Sequence, residues 1–281
     1  MLLALAGCSG SPSSRPVVVG SKNFTEQVVL GEVVAQHLER RLGRKVERRL
    51  NLGGTLLAHQ ALLSGGIDLY PEYTGTALAA ILKQSTGNDP AAVLAQVRSA
   101  YTRLGADWLD PLGIDNSFAM VVTGSQARAQ HLETLTDAAR REEPWALGVG
   151  YEFQTRADGM AALDRTYRLR WKAAPKSMDL GLLYQALEQG QVDMIAANAT
   201  DGLLSKLDLV MLKDDRHAFP PYQVCLVVRQ DRLREVTGLR QALEELSGKF
   251  TNSTMQHLNY EVDALHQPVA QVAAEFLKQL E

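Results

Sequence analysis

The hydrophobic pattern of the chain alternates between short apolar runs and segments whose apolar residues recur every three to four positions. Residues 17–19 are three valines, which predict a buried strand. In residues 24–42 the apolar positions share one helical face, which predicts a helix with Asn23 or Thr25 as its N-cap. A chain that repeats this alternation is typical of an α/β fold with largely parallel strands.

Two such strand-helix units are predicted, one in each half of the chain. The first unit contains strands at 17–19, 46–50 and 67–70, with helices at 24–42 and 55–64. The second contains strands at 146–149, 167–171 and 192–196, with one helix after Asp158 and another at 180–188. In both units a helix ends at a glycine, which suits the left-handed residue that closes a last helical turn. This shared pattern of helix, glycine and strand favours two similar lobes.

Two further apolar strands, at 117–122 and 222–228, lie outside both units. The first leads from one unit to the other, and the second leads back to helical segments at 233–247, 251–264 and 269–280. We therefore predict lobe one from 17–117 plus 226–281 and lobe two from 118–225, joined by two crossing strands. A cleft between lobes connected in this way binds small ligands where strands end and helices begin.

Residues 1–16 are predicted to be a signal remnant, a lipobox and a tether. Leu5, Ala6 and Gly7 precede Cys8, and a stretch rich in serine, glycine and proline follows it. In a bacterial lipoprotein a peptidase cuts before this cysteine, which then carries the lipid. The alternative is an apolar N-terminus with an incidental cysteine. Only seven residues precede Cys8, so the start of translation is expected upstream.

The second cysteine, Cys225, lies in an apolar run and is predicted to be a buried strand residue. If Cys8 is acylated, no intramolecular disulfide can form between the two. No stretch after the N-terminus approaches the roughly 20 apolar residues of a membrane span.

Charge and motifs exclude several classes of function. The 29 basic and 32 acidic residues give a net charge of -3, so the chain offers no basic field for nucleic acid. The sequence lacks the His-Glu-x-x-His, Cys-x-x-Cys and Gly-x-Ser-x-Gly motifs and a phosphate-binding glycine-rich loop. Its six histidines lie at no metal-ligand spacing and are interpreted as surface or packing residues. We expect no metal, no cofactor and no catalytic residue.

Polar and aromatic residues cluster near the ends of the predicted elements of lobe one. The segments 21–27, 53–55 and 70–76 each follow a strand or open a helix, where backbone amides can hold a ligand carboxylate. Each segment alone is also typical of an ordinary cap or turn. Three of them at one edge of the same lobe favour a binding site.

Two of these segments, 21–27 and 70–76, belong to a set of motifs in which the chain resembles the substrate-binding proteins of the glycine betaine/choline/carnitine ABC importers, an osmoprotectant-uptake family. The motifs are GSKNFTEQ at 20–27, YPEYTGT at 70–76, Glu152-Phe153 with Arg156 and Asp158-Gly159, ATDG at 199–202 and FPPY at 219–222. The resemblance covers residues 17–280. It implies a two-lobed periplasmic-binding-protein fold of type II, and ligand capture for transport rather than catalysis.

Ligands of that family carry a quaternary ammonium, which aromatic rings hold by cation–π attraction worth roughly 0.5 to 2 kcal/mol per contact. The resemblance places such an aromatic box at Tyr73, Phe118, Asn198 and Tyr222. Phe118 keeps a ring where the family usually has tyrosine, whereas Asn198 brings an amide that needs a partner when buried. The site therefore either binds a trimethylammonium weakly or is adapted to another amine. Some relatives import other betaines, including ergothioneine.

Further ligand contacts are expected from both lobes. Asp201 either balances the ligand cation or caps the helix that starts at Gly202, and Arg156 binds either a ligand carboxylate or a backbone carbonyl. The lobe-one candidates for ligand binding, mainly through a carboxylate, are Asn23, Gln27, Gly54, Thr55 and Thr74.

The resemblance also implies the partners and the location of the protein. A small amine is the ligand, and the transmembrane subunits of an ABC permease receive it from a monomeric binding protein. Lipidation at Cys8 would hold that protein to a membrane, in the periplasm or at the cell surface. Because a fold alone does not fix a function, a ligand sensor and an enzyme remain alternatives. An enzyme would need an acid–base pair, for which Glu72 or Glu152 facing Asp201 is the nearest candidate.

Overall fold

The computed structural model describes residues 15–85 and 87–280, so Cys8 and the predicted lipobox lie outside the described residues. The strands are β1 (Val17–Gly20), β2 (Val46–Arg49), β3 (Leu69–Tyr73), β4 (Ala106–Trp108), β5 (Phe118–Thr123), β6 (Leu147–Val149), β7 (Lys176–Ser177), β8 (Met194–Asn198), β9 (Leu209–Leu212) and β10 (Val224–Arg229). The helices are α1 (Thr25–Leu42), α2 (Thr55–Leu63), α3 (Thr74–Thr76), α4 (Pro90–Thr102), α5 (Gly124–Gln130), α6 (Leu135–Arg140), α7 (Tyr151–Thr155), α8 (Met160–Tyr167), α9 (Leu180–Glu188), α10 (Gln230–Glu235), α11 (Leu239–Glu244), α12 (Asn252–Asp263) and α13 (Val269–Gln279). A π-helical segment (Ala77–Ile81) follows α3, and a 3₁₀ helix (Gly202–Ser205) follows β8. None of the helices in these ranges has both the length and the hydropathy that crossing a membrane requires.

The strands form two sheets that share one topology. Sheet I has the order β2-β1-β3-β10-β4, and sheet II has the order β7-β6-β8-β5-β9. In each sheet the first three strands are parallel, and the fourth is antiparallel to both of its neighbours. The predicted α/β fold of two similar lobes is thus confirmed, with lobe one around sheet I and lobe two around sheet II.

Both faces of each sheet are covered, because neighbours along a strand belong to different hydrophobic clusters. In β1, Val17 and Val19 pack in one cluster with residues of α1 and α13, whereas Val18 packs in another with residues of α2 and α4. In β5, Met120 packs in the same cluster as Val17 and Val19, whereas Val121 packs in a third cluster with residues of α9. Burial on both faces is why these strands are continuous apolar runs in the sequence.

Residues 109–117 and 213–223 connect the lobes, and each segment leads into a strand that lies wholly in one sheet. The two connecting segments run side by side. Asp115 and Gln223 form an antiparallel bridge, and Asn116 donates its backbone N–H to the carbonyl oxygen of Tyr222 at 3.2 Å. Two adjacent connections of this kind allow the lobes to move about one hinge line.

Two details of the predicted organisation are wrong. The boundary after residue 225 falls inside β10, because Val224 already pairs with Tyr73 in sheet I. Residues 167–171, predicted as a strand, do not form one. Tyr167 is the last residue of α8, Arg168 ends that helix with a left-handed φ of 54°, and Trp171 makes a single β-bridge. The strand in that position of lobe two is β7. Cys225 is buried in β10, as predicted.

The start of α1 also differs from the prediction. Phe24 is its N-cap residue and makes no side-chain capping bond, so neither Asn23 nor Thr25 caps the helix. Thr25 is the first helical residue, and its hydroxyl donates to Asp263 of α12 at 2.5 Å. The hydroxyl that could cap α1 therefore ties α1 to α12 instead.

Candidate ligand-binding site

A cleft of about 600 Å³ lies between the two lobes. It is open at the edge where strands of both sheets end, which is the usual place for ligands in two-lobed α/β proteins. Most of the predicted ligand-binding residues line it, namely Asn23, Gly54, Tyr73, Phe118, Arg156, Asn198, Asp201 and Tyr222.

Three predicted contacts, Gln27, Thr55 and Thr74, are buried and do not line the cleft. The hydroxyl of Thr74 donates to the carbonyl oxygen of Pro221 at 3.2 Å. The backbone N–H of Thr55 donates to Glu152 Oε1 at 2.8 Å. The predicted carboxylate-binding roles of Thr55 and Thr74 are therefore wrong, because the protein's own groups already use these donors.

Rings at the predicted aromatic box come from three parts of the fold. Tyr73 ends β3, Phe118 begins β5 and Tyr222 lies in the second connecting segment. Phe118 packs edge-on against Tyr222, with ring centroids 5.5 Å apart, and against Phe153, with centroids 4.9 Å apart. Edge-to-face pairs of this kind favour fixed ring orientations. Lobe one, lobe two and the connection between them thus all contribute rings to the cleft.

Lys22 places a protein cation at one of these rings. Its Nζ lies 4.4 Å from the ring centroid of Tyr73 and 2.6 Å from Glu72 Oε1. Glu72 also accepts a hydrogen bond from the Tyr70 hydroxyl at 3.1 Å. Since Glu72 neutralises Lys22 in the buried interior, this pair adds no net charge to the cleft.

Arg156 is held by carboxylates rather than by a backbone carbonyl, so that predicted alternative is wrong. Its Nε and Nη2 donate to the two oxygens of Asp158 at 2.9 and 2.5 Å. Its guanidinium carbon lies 5.1 Å from the ring centroid of Phe118. Although burial opposes the charge, Asp158 raises the pKa of Arg156 above its ordinary value. The hydroxyl of Tyr222 donates to Asp158 at 2.7 Å and so orients the same carboxylate.

Asn198 lies opposite Phe118 in the pairing of β5 with β8. Its side-chain amide is hydrogen-bonded to a carboxylate. Its Nδ2 donates to Asp201 Oδ1 at 3.3 Å, and its backbone N–H donates to Oδ2 at 3.0 Å. The Tyr184 hydroxyl donates to the same Oδ2 at 2.9 Å. Asp201 makes no side-chain cap on the 3₁₀ helix at Gly202, so that alternative is wrong.

Tyr184 lines the cleft from α9, and no motif pointed to it. Its contact with Asp201 brings an aromatic ring to the wall where Asn198 lacks one. The signal in the sequence was limited to its place in a helix that follows a strand of lobe two. Burial raises the pKa of Asp201 to about 6, although the hydrogen bonds from Asn198 and Tyr184 oppose this shift. This carboxyl therefore changes its charge close to neutral pH.

Glu26 is buried at the cleft and joins three parts of the molecule. Its Oε1 accepts hydrogen bonds from the Tyr73 hydroxyl at 2.6 Å and from Asn116 Nδ2 at 2.9 Å. Its Oε2 accepts a hydrogen bond from the Thr200 hydroxyl. Burial raises the pKa of Glu26, and these three hydrogen bonds and the charge of Lys22 oppose the shift. The sequence suggests only a helix-dipole role for an acid in the first turn of α1.

Two lobes of one topology, two adjacent connections and an aromatic, acid-lined cleft define a class of protein, the two-lobed solute-binding proteins. Within this class the chain belongs to the family described as the substrate binding domain of the ABC-type glycine betaine transport system, which matches residues 15–279. The family predicted from the sequence motifs is thus confirmed, and it is a family of transport components.

Three similar proteins illustrate the relationship. The carnitine transport binding protein OpuCC of Listeria monocytogenes is 32% identical over 283 residues, which cover 98% of this chain and 92% of that protein. The ergothioneine transport permease/ergothioneine binding protein EgtU of Helicobacter pylori is 32% identical over 269 residues, which cover 95% of this chain and 48% of that protein. A crystal structure of a glycine betaine/carnitine/choline ABC transporter protein shows 30% identity and a TM-score of 0.80, and the match covers 94% of this chain and 98% of that one.

Replacement of Glu26 tests whether its carboxyl supports the cleft. Glu26→Ala leaves three buried donors without their acceptor, so we expect the free energy of unfolding to fall by roughly 2 to 5 kcal/mol. Urea denaturation followed by circular dichroism measures this change. Glu244→Ala, at an exposed acid of α11, is the control and should change stability by less than about 0.5 kcal/mol. Equal effects of the two substitutions would contradict the role assigned to Glu26.

Proposed function

We propose that this protein captures, outside the cytoplasm, a small organic compound bearing a quaternary ammonium and delivers it to the permease of an ABC importer. The observation that carries this proposal is a cleft lined by rings from both lobes and by more acids than bases. Its rings include Tyr73, Phe118, Tyr184 and Tyr222. Its acids are Glu26, Glu152, Asp179, Asp201 and Asp263, whereas its bases are Lys22 and Arg156.

The chemistry of a quaternary ammonium fits these groups. Such a cation has no N–H to donate, so a protein recognises it with aromatic faces and dispersed negative charge. Lys22 and Arg156 are each neutralised by a carboxylate of their own, Glu72 and Asp158. Glu152 is bonded to Arg156 and Glu26 accepts three hydrogen bonds, so Asp179 and Asp201 are the cleft acids best placed to balance a ligand cation. The names of the relatives that bind carnitine and of the solved glycine betaine/carnitine/choline protein support the same class.

Transport follows from the two-lobed geometry. A ligand that touches Tyr73 in lobe one and Phe118 in lobe two binds the closed arrangement better than an open one. Its differential affinity therefore shifts the population toward the closed form. The closed, monomeric protein then presents both lobes to the transmembrane subunits of the permease, and no covalent chemistry is required.

A second ligand, ergothioneine, is favoured by one specific residue. Asn198 donates a hydrogen bond from its Nδ2 to Asp201. The side-chain oxygen of Asn198, Oδ1, is left as a hydrogen-bond acceptor for a ligand in the cleft. A trimethylammonium cannot use such an acceptor, whereas a betaine with an imidazole-type N–H can. The similarity to the EgtU protein of Helicobacter pylori points the same way.

The proposal includes a lipid anchor at Cys8. The lipobox sequence, in which Leu5, Ala6 and Gly7 precede Cys8, supports it. Labelled palmitate should enter the protein in bacterial cells, and Cys8→Ser should abolish the label and release the protein from the membrane fraction. Label retained by Cys8→Ser would contradict the anchor.

Ligand class is tested by isothermal titration with glycine betaine, choline, carnitine, ergothioneine and a basic amino acid. We expect a quaternary ammonium compound to bind, and Tyr73→Ala and Tyr222→Ala each to weaken that binding about tenfold or more, since each removes a ring. Tyr73→Phe and Tyr222→Phe keep the rings and serve as matched controls with smaller losses. If the alanine variants bind as tightly as the phenylalanine variants, the aromatic-box proposal fails.

Proton linkage tests the role of Asp201. Burial raises the pKa of this carboxyl to about 6, so it is largely protonated at lower pH. A bound cation stabilises the ionised form, so binding should release protons near pH 6, and affinity should rise from about pH 5 to about pH 7. Titration in buffers of different ionisation enthalpy measures the release. Asp201→Asn should remove most of it; an unchanged release would exclude Asp201 as the linked group.

A further inference from the structure

The carboxylate of Glu152 reaches from lobe two to lobe one. Glu152 is the second residue of α7, and its partner is Thr55, the first residue of α2. Its Oε1 accepts the backbone N–H of Thr55 at 2.8 Å, and its Oε2 accepts the Thr55 hydroxyl at 3.1 Å. These two bonds join residues 97 positions apart across the cleft.

Helix α2 lacks a cap of its own. Its N-cap residue is Gly54, which has no side chain to make a capping hydrogen bond, and its first turn contains no acid. The first N–H groups of a helix have no intrahelical partner, and a carboxylate at this end also interacts favourably with the helix dipole. Glu152 of lobe two therefore caps the N-terminus of α2, for which Gly54 has no capping side chain.

Gly54 fits this contact sterically. A Cβ atom at Gly54 would lie 2.7 Å from Glu152 Oε1, closer than such atoms can approach. The backbone of Gly54 is in the extended region, with φ of -74° and ψ of -177°, which any residue can adopt. Glycine at this position thus leaves room for the carboxylate in its present position, and a larger residue would displace the carboxylate.

Arg156 adds a second bond across the cleft, one helical turn after Glu152. Its Nη2 donates to the Thr76 hydroxyl of lobe one at 3.0 Å, and its Nη1 donates to Glu152 Oε2 at 3.3 Å. Burial alone would raise the pKa of Glu152, but Lys22, the Thr55 amide and Arg156 lower it overall. The carboxylate is therefore charged at neutral pH and binds as an anion.

We propose that Glu152 is a positioning residue that latches the two lobes together by capping α2, and that it sets ligand affinity without contributing to the aromatic box. Separation of the lobes breaks the cap, so each closure regains it. The apparent affinity for any ligand rises with the fraction of protein that is closed, and the cap increases that fraction. This latch is independent of the chemical identity of the ligand.

Thr55 offers a matched pair of substitutions for the test. Thr55→Pro removes the N–H that Glu152 accepts, and proline suits the first position of a helix after an extended residue such as Gly54. Thr55→Ala removes only the hydroxyl and keeps the N–H. Glu152→Gln tests the same contact from lobe two, with Glu142→Gln, at an exposed acid of that lobe, as its control.

The readout is the distance between the lobes without added ligand, measured by double electron–electron resonance in the full chain carrying Cys8→Ser. Spin labels at Gln60→Cys of α2 and Gln185→Cys of α9 report it, because both positions are exposed and Cys225 is buried. We expect Thr55→Pro and Glu152→Gln to shift the distances to longer values than Thr55→Ala and Glu142→Gln do. Titration of the same variants with glycine betaine should show about fivefold weaker binding for Thr55→Pro than for Thr55→Ala.

Identical distance distributions in Thr55→Pro and Thr55→Ala would overturn the latch. This outcome does not depend on whether glycine betaine binds, so a failed ligand proposal and a failed latch give different results. Circular dichroism of each variant should match the parent, which shows that α2 is intact when the distances change.

Discussion

The hydrogen bonds of Glu26 are the contact on which the cleft most depends. One buried carboxyl accepts the hydroxyl of Tyr73 from lobe one, the amide of Asn116 from the first connecting segment and the hydroxyl of Thr200 from lobe two. Such bonds are strong in a low dielectric, and each donor would be costly to leave unpaired. The orientation of the Tyr73 ring and the approach of the lobes are therefore fixed by the same group.

The cleft is also bridged by Glu152, where its carboxylate caps α2. Phe118, Tyr222 and Asp201 also line the cleft, and each of these has a polar or aromatic neighbour that orients it. These contacts hold side chains of the cleft in fixed orientations. A ligand that contacts both lobes therefore shifts the equilibrium between their open and closed arrangements.

Elements with strong periodicity could be predicted, and contacts between distant residues could not. Residues 17–19 and 24–42 correspond closely to β1 and α1 because their patterns reflect burial on defined faces. The run at 222–228 gave no sign of which sheet it joins, so the lobe boundary was misplaced inside β10. All four aromatic-box positions line the cleft, and they could be predicted because the resemblance to the family placed them.

The polar contacts show where a single sequence stops being informative. Thr74 and Thr76 are two residues apart in one motif, yet only Thr76 lines the cleft, since Thr74 is turned toward Pro221. The cap that Glu152 provides for Thr55 depends on the packing of two lobes, which no local pattern encodes. Tyr184 reaches the site because α9 packs beside β8, and its sequence context is that of an ordinary amphipathic helix.

The central claim is that a ligand cation sits among the rings of both lobes. A crystal structure with arsenobetaine or arsenocholine, in which arsenic replaces the quaternary nitrogen, would locate that cation by anomalous scattering. We expect an arsenic peak within about 6 Å of the ring centroids of Tyr73 and Phe118. A peak outside the cleft, or one near neither ring, would contradict this claim.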